Sequence, residues 1–363
     1  MRQGIVLLLV LAQVLPAQDL PPAFVAGKEG SASYRIPSLV TAGDGCLVIA
    51  AEARRQIWVD KSPTDVVVRR STADLRGWEP STCPLLGKGG AMMDPCLIAD
   101  SAKGRIILLA VRWPSQEGKD RDDTVTYQVT SDDDGRTWSK STPASISGLP
   151  KGARVQGLGP GSGFVSKDGA LVVPARVSGG SGARNYALRS VDGGKTWRAG
   201  GAGSPGGEFQ IAPMADGRWI ALRRAGSRRA QSESPDNGAS WTEERFRPEL
   251  GTLDSGCEGS LVRAGDVLLH TSPAGATAAS GYDNRGRLTL YRSIDNGETW
   301  SAGSVIHPLA SGYSCLSVLK DGRVAVSWES GDTPTFPKVR ERPAGWMRID
   351  VRLMPAKVAD RSK

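Results

Sequence analysis

The residue that is out of place comes early. In SASYRIPSLVTAGDGCLVIAAEARR, Ser31 to Arg55, the side chains alternate and branch like two buried strands. Arg35 nonetheless puts a permanently charged guanidinium where an apolar group is expected, with Pro37 close behind. A guanidinium is a fixed fork of donors suited to oxyanions, and a net charge of +8 suggests polyanionic partners or acidic substrates for the chain as a whole. The remaining basic residues are scattered as Arg-Arg pairs among carboxylates and form no tract or stripe, which argues against a nucleic-acid surface. Other chemistries are short of parts. His270 and His307 are the only histidines, too few to favour a His-built metal site or a Ser-His-Asp triad. The five cysteines (Cys46, Cys83, Cys96, Cys257, Cys315) lie far apart without CxxC spacing, which argues against a metal site. Five is odd, so at least one thiol stays unpaired, and they read as small buried apolar side chains.

The elements that must position Arg35 emerge from a repeat marked by tryptophans. SDDDGRTW (131–138), SVDGGKTW (190–197), SPDNGASW (234–241) and SIDNGETW (293–300) all fit S-x-D-x-G-x-[TS]-W, and STADLRGW, ending at Trp78, is a decayed relative. Each copy follows a β-type run such as NYALRS or RLTLYRS. In each, Gly supplies a positive φ, Asp bonds backbone amides across a hairpin turn, and Trp packs back on the sheet. Asp133, Asp192, Asp236 and Asp295 therefore read as turn anchors without catalytic work. Further strand pairs are joined by Asp-Gly turns, including DGALVVPARV, DGRWIALRR and DGRVAVSWES. Many short strands with no helices between them predict an all-β fold, a six-bladed β-propeller of four-stranded antiparallel sheets. The leading segment MRQGIVLLLVLAQVLPAQ has an early Arg, an apolar run from Ile5 to Leu11 and small or polar residues near Ala17. That pattern predicts a signal peptide over residues 1–18, too short to span a membrane, followed by a single domain over 19–363. A secreted or periplasmic location, no membrane insertion and a monomeric state are the matching expectations.

The turn boxes together with the early YRIP resemble the sialidase (neuraminidase) family of bacterial exo-α-sialidase type, whose members remove terminal sialic acids with retention. The resemblance runs from Tyr34 to about Trp328. A sialic acid carries a carboxylate on its anomeric carbon, and the family grips it with three arginines. Arg35 matches the first. GEFQIAPMADGRWIALRRAG supplies Glu208, the turn Asp216-Gly217 and Arg224 as the second, with Arg223 the rival on the opposite strand face. NRGRLTLYRSIDNGETW offers Arg285 as the third, with Arg287 on the same face as its rival. A carboxylate nucleophile would be repelled by the substrate's own carboxylate, and the resemblance implies the tyrosine exception to the two-carboxylate rule. Tyr313 of SGYSCLSVLKDG matches it, with Glu208 as the base that a phenol of pKa near 10 needs. Asp60, nine residues before Arg69, matches the acid/base, and Asp65 competes but reads as structural. Arg55 matches a position that contacts substrate hydroxyls in the family.

The resemblance implies sialylated glycans as partners and requires no metal or cofactor. Glu258 stands where relatives usually carry a neutral polar residue, AGATAASGYDN before Arg285 is long, and Trp58 lies beside the Asp60 loop. These departures bear on which sugar is taken. A hydrolase for a related keto acid sugar such as Kdn would keep all six residues and change only the pocket around the N-acyl and glycerol groups. A non-catalytic carbohydrate-binding propeller is the alternative of a different class, and trans-glycosylation remains a further expectation, dependent on acceptor-site aromatics.

Overall fold

The computed structural model describes residues 17–56, 59–114, 123–179, 182–251, 253, 256–275, 285–332, 348–355 and 358. Most of the leading segment, Trp58 and nine residues of the long stretch before Arg285 lie outside them. Among the described residues there is no α-helix, and the short 3-10 turn Pro248–Leu250 lies between the strands Arg245–Phe246 and Ser260–Ala264.

The strands pair antiparallel with their neighbours in sequence as six successive arrays. The first runs Ser33–Thr41, Leu47–Arg54, Thr64–Arg70 and the outer Thr82–Leu85. The second runs Ala91–Asp100, Arg105–Trp113, Val125–Ser131 and Thr142–Pro143. The third is Arg154–Leu158, Leu171–Gly179, Gly182–Ser190 and Thr196–Ala199. The fourth is Phe209–Pro213, Trp219–Ala225, Arg228–Ser234 and Arg245–Phe246. Ser260–Ala264, Val267–Pro273 and Gly286–Ser293 make the fifth with the first half of the long strand Ser301–Val318. The second half of that strand opens the sixth, continued by Val324–Ser330 and Arg348–Met354, and Gln18–Asp19 completes it from the other end of the chain.

Each array is covered on both faces, which explains runs such as LVIAAEAR in which all eight residues are buried. The apolar side chains collect in clusters shared by consecutive arrays. Val48, Val66 and Ile106 join the first to the second, and Ile107, Val173 and Trp197 join the second to the third. Val172 and Trp219 link the third to the fourth, Leu222 and Trp300 the fourth to the fifth, and Leu290 and Trp328 the fifth to the sixth. A further cluster, with Phe24, Ile49 and Val351, joins the sixth back to the first. The Leu39 amide donates to Cys315 Sγ at 3.2 Å, and the Thr41 and Ser317 hydroxyls meet at 2.8 Å across the same junction.

The turn boxes lie between the third and fourth strands of their arrays and are built alike. In the copy at 190–197, Ser190 Oγ donates to Asp192 at 2.8 Å, and Asp192 also accepts from the Thr196 amide at 3.0 Å and hydroxyl at 2.6 Å. Gly194 has φ 87°, and its amide donates to Ser190 Oγ at 2.8 Å. Trp197 is 1% exposed against the second array. The anchoring role expected for the box aspartates is what the geometry contains. The five cysteines carry free thiols, four of them buried and Cys83 half-buried.

Asp192→Ala removes three hydrogen bonds from one turn, and the expected cost is about 1 kcal/mol of unfolding free energy. A urea titration with an unmoved midpoint would contradict the anchoring role. Hydrogen bonds from the Thr196 hydroxyl and amide hold the Asp192 carboxyl down to about 2, from an ordinary 3.8. A depressed carboxyl stabilises the fold above its unfolded pKa. The turn's contribution is therefore complete above about pH 4 and is lost as the pH falls toward 2.

Candidate active site

The innermost strands of four arrays break their ladders, and the breaks aim the polar side chains inward. Register shifts fall between Arg35 and Ser38, between Met93 and Cys96, between Val155 and Gly157, and between Ser311 and Ser314. A bulge leaves a residue out of the ladder and re-aims the side chains beside it. In the first two arrays the residue before a proline takes a left-handed conformation, Ile36 at φ 56° and Asp94 at φ 53°. That is costly for a β-branched residue and persists only where surrounding contacts fix it. YRIP is therefore a bulge motif, and Arg35 stands on it.

Glu329 supplies the fixing contacts. Its carboxylate is fully buried and accepts from Arg35 Nε at 2.9 Å and Nη2 at 3.0 Å, a two-point grip. The same two oxygens accept the Ile36 amide at 3.0 Å and the Tyr313 amide at 3.2 Å. Burial would raise the Glu329 pKa, but the Arg35 charge outweighs it and holds the carboxyl below the ordinary value. A Cβ at position 312 would lie 2.2 Å from Glu329 Oε2, so the residue before Tyr313 has to be glycine.

Tyr313 sits beside Glu329 and is 6% exposed. Its hydroxyl donates to Glu208 Oε1. Arg224 Nη1 donates to Glu208 Oε2 at 2.8 Å and to the Tyr313 oxygen at 3.2 Å. The guanidinium carbons of Arg35 and Arg285 each lie 5.4 Å from the centre of the Tyr313 ring. Three arginines from the first, fourth and fifth arrays thus converge on one phenol. Burial and the Glu208 charge raise the Tyr313 pKa well above 10, so the phenol is neutral at rest. Desolvation would raise Glu208 as well, but Arg224 and Arg176 bring it below its ordinary value, so the base is ionised. A neutral phenol hydrogen-bonded to an ionised carboxylate has the parts for nucleophilic attack with proton transfer to an adjacent base.

The register rivals separate cleanly. Arg223 faces the other way and pairs with Glu244, its Nε 2.6 Å from Oε1. Arg287 is exposed at φ 57°, whereas Arg285 is 5% exposed and donates to the Gly256 carbonyl at 3.0 and 3.2 Å.

Asp60 lies on the loop after Leu47–Arg54, its side chain 66% exposed. Arg54 Nη1 is 2.7 Å and Arg35 Nη1 is 3.6 Å from its Oδ1. Partial desolvation would raise the Asp60 pKa, but the charges of Arg54 and then Arg35 outweigh it and hold the carboxyl below the ordinary 3.8. Arg55, expected to reach substrate hydroxyls, points elsewhere. Its Nε bonds Asp65 at 2.8 Å and its Nη1 bonds Ser31 at 2.8 Å, while Arg54 lines the cavity in its place. Arg54 shares the inward face of its strand with Glu52, and one further residue flips the side chain outward. Asp65 also accepts the Gly87 amide at 2.7 Å, a bond inside the scaffold.

Arg35, Arg54, Asp60, Glu208 and Tyr313 line a cavity of about 340 Å³. In and behind its wall lie charges that no spacing argument singled out. Glu52 is fully buried, bonds Arg54 at 2.7 and 3.0 Å through Oε2, and accepts the Asp94 amide at 2.9 Å through Oε1. Asp94 pairs with Arg176. Burial, with the Glu52 and Glu208 charges nearby, pushes Asp94 up to about 7 against the pull of Arg176. Gly157 makes room for this pair, since a Cβ there would meet Arg176 Nη2 at 1.9 Å. Glu258, behind the site, accepts the Ser314 amide at 3.2 Å, and burial raises it well above its ordinary value. The common signal of Glu52, Arg54 and Glu329 is the one Arg35 gave, a charge inside a strand otherwise written in buried residues. Among the described residues, no group of three or more His, Cys, Asp or Glu side chains could hold a metal ion.

Comparison with known proteins places the chain in context. A family model described as a BNR repeat-like domain matches residues 54–326. A sialidase of Bacteroides fragilis is 31% identical over 84% of this chain and 61% of its own length. A sialidase of Micromonospora viridifaciens is 28% identical over 86% of this chain and 52% of its own length. The chain thus spans about half to three-fifths of these two relatives. Among solved structures, the Hadza microbial sialidase Hz136 superposes with a TM-score of 0.74 at 25% identity, over 91% of this chain and 66% of that one.

Removing one partner of a buried pair leaves the other charge uncompensated. Glu329→Gln is expected to lower the unfolding free energy by about 3 kcal/mol. Chemical denaturation reads the change directly, and a loss below about 1 kcal/mol, the worth of a surface pair, would deny Glu329 its place as the anchor of Arg35.

Proposed function

The chain belongs to the sialidase family, and from that premise we propose that it is a retaining exo-glycosidase, hydrolysing terminal α-linked sialic acids from glycoconjugates through a tyrosine nucleophile. The observation that carries this reading is the contact of Tyr313 with Glu208 and Arg224, with Arg35 and Arg285 flanking the phenol ring. Arg35, Arg224 and Arg285 hold the substrate carboxylate, which sets the anomeric carbon over the Tyr313 oxygen. That oxygen attacks as its proton passes to Glu208. The bond to the leaving oxygen breaks while Asp60 delivers its proton there, so the aglycone departs as an alcohol. A glycosyl-tyrosine remains. Asp60, now a carboxylate, takes a proton from water, which attacks the same carbon, and the phenol recovers its proton from Glu208. Two displacements give net retention.

The resting ion pairs suit this sequence. A substrate carboxylate on Arg35 withdraws one of the two cations nearest Asp60 and adds a negative neighbour. Both changes raise the Asp60 pKa toward the protonated state a general acid needs.

The six arrays, with clusters joining each to the next and the sixth to the first, support a six-bladed propeller with this site at its centre. The apolar leading segment supports export, and likeness to sialidases supports sialylated glycans as substrates. A carbohydrate-binding propeller without catalysis has no use for a base within reach of a buried phenol. The choice between a sialic acid and a related keto acid sugar falls to the wall formed by Met93, Asp94, Gln156 and Arg176, because the six chemical residues serve both.

Tyr313→Phe and Asp60→Asn are expected to fold normally and to lose most turnover of an aryl sialoside, Asp60→Asn by about 10²- to 10⁴-fold. Proton NMR of the first-formed sugar should show the α-anomer. Full activity in either variant, or an inverted product, would sink the assignment.

A further inference from the structure

Lys61 follows Asp60 directly and is one of the few non-glycine residues with a left-handed backbone, at φ 62°. Its ammonium lies 4.0 Å from the centre of the Trp113 ring. Trp113 ends the strand Arg105–Trp113 of the second array and is 7% exposed. The contact therefore ties the loop bearing Asp60, which belongs to the first array, to the array beside it. An ammonium over an indole face is the strongest of the cation–ring pairings and gains when partly desolvated. Both residues line the cavity.

Resting on the function proposed above, we propose that Lys61 is a positioning residue: seated on Trp113, it holds the Asp60 loop in place while the Asp60 carboxylate works on the leaving oxygen. The need arises from the geometry of Asp60 itself. At rest its carboxylate is held by Arg54 at 2.7 Å and Arg35 at 3.6 Å. A substrate carboxylate on Arg35 takes that tie and repels Asp60. On protonation, the attraction to Arg54 weakens as well. The side-chain ties of Asp60 thus fail at the step that requires its position, whereas the Lys61 contact does not involve the substrate carboxylate or the Asp60 proton. Near the loop's end the Thr64 hydroxyl donates to the Ser62 carbonyl at 2.7 Å, and the Arg55 amide to the Pro63 carbonyl at 2.9 Å. These bonds close the loop on its own array, whereas the Lys61 contact reaches the second.

The test uses the full chain and sialosides of graded leaving-group acidity, from nitrophenyl through phenyl to a sialyl-alkyl ether. Acid assistance matters little for nitrophenol and greatly for an alcohol. In kcat/KM, which reads the first displacement alone, Lys61→Met should leave the nitrophenyl sialoside within about twofold and lower the alkyl substrate by about 3- to 30-fold, the range of a cation–ring contact. Lys61→Arg, which keeps a cation over the ring, should restore most of the loss. Trp113→Leu added to Lys61→Met should not steepen the leaving-group dependence further. A uniform loss across leaving groups, or no loss, overturns the positioning role while leaving the proposed function standing. Failure of the unaltered protein to release sugar from any of the three overturns the function and this inference with it.

Discussion

One buried carboxylate carries the geometry of the site. Glu329 binds the Arg35 guanidinium at two points and receives the backbone amides of Ile36 and Tyr313. It thereby sets the distance between Arg35 and Tyr313, 278 positions apart in the chain, fixing both against the junction of the first and sixth arrays. A buried ion pair of this kind adds little to stability over a well-packed apolar pair, because desolvation opposes the Coulomb attraction. Its value lies in direction. The two-point grip orients the guanidinium plane, and the two amides lock the bulges that would otherwise relax into regular ladder.

Several of the polar side chains enter the cavity where the ladders are interrupted. The interruptions at Arg35, Asp94, Gly157 and Tyr313 are the same device used four times. Pro37 and Pro95 contribute by lacking the amide that a regular strand would pair. Electrostatics then sorts the groups: Tyr313 is kept neutral, Glu208 and Glu329 ionised, and Asp94 near the middle of its range. Desolvation pushes all four up. Arg224 and Arg176 bring Glu208 back down and Arg35 does so for Glu329, whereas neighbouring carboxylates add to the rise at Tyr313 and Asp94.

Much of this was legible in the sequence. The all-β class and the turn anchors followed from the repeated box, because a turn is local and its hydrogen bonds close within eight residues. Arg35, Arg224, Arg285, Tyr313, Glu208 and Asp60 were found by resemblance, and the structure brings them together. Arg55 shows where spacing stops being sufficient. Its distance from Asp60 was right to within one residue, but a strand presents alternate residues to alternate faces, so one position decides between cavity and rim. Glu52 and Glu329 were visible as charges in apolar runs, yet their partners come from other strands, and sequence distance carries no information on such pairings.

The strand Gln18–Asp19 completes the sixth array by pairing with Arg348–Met354. The Asp19 carboxylate takes the Arg352 guanidinium at 2.5 and 2.9 Å, across 333 positions. A chain made from its first residue onward exposes this edge long before its partner exists. The earlier arrays can form as they emerge, each on local hairpins, but the joint between last and first waits for nearly the whole chain. Loop closure over such a span is slow, and until it occurs the junction holding Arg35 against Glu329 is open. The order of synthesis therefore makes the meeting of Arg35 with Glu329 a late event, although Arg35 itself is among the first residues made.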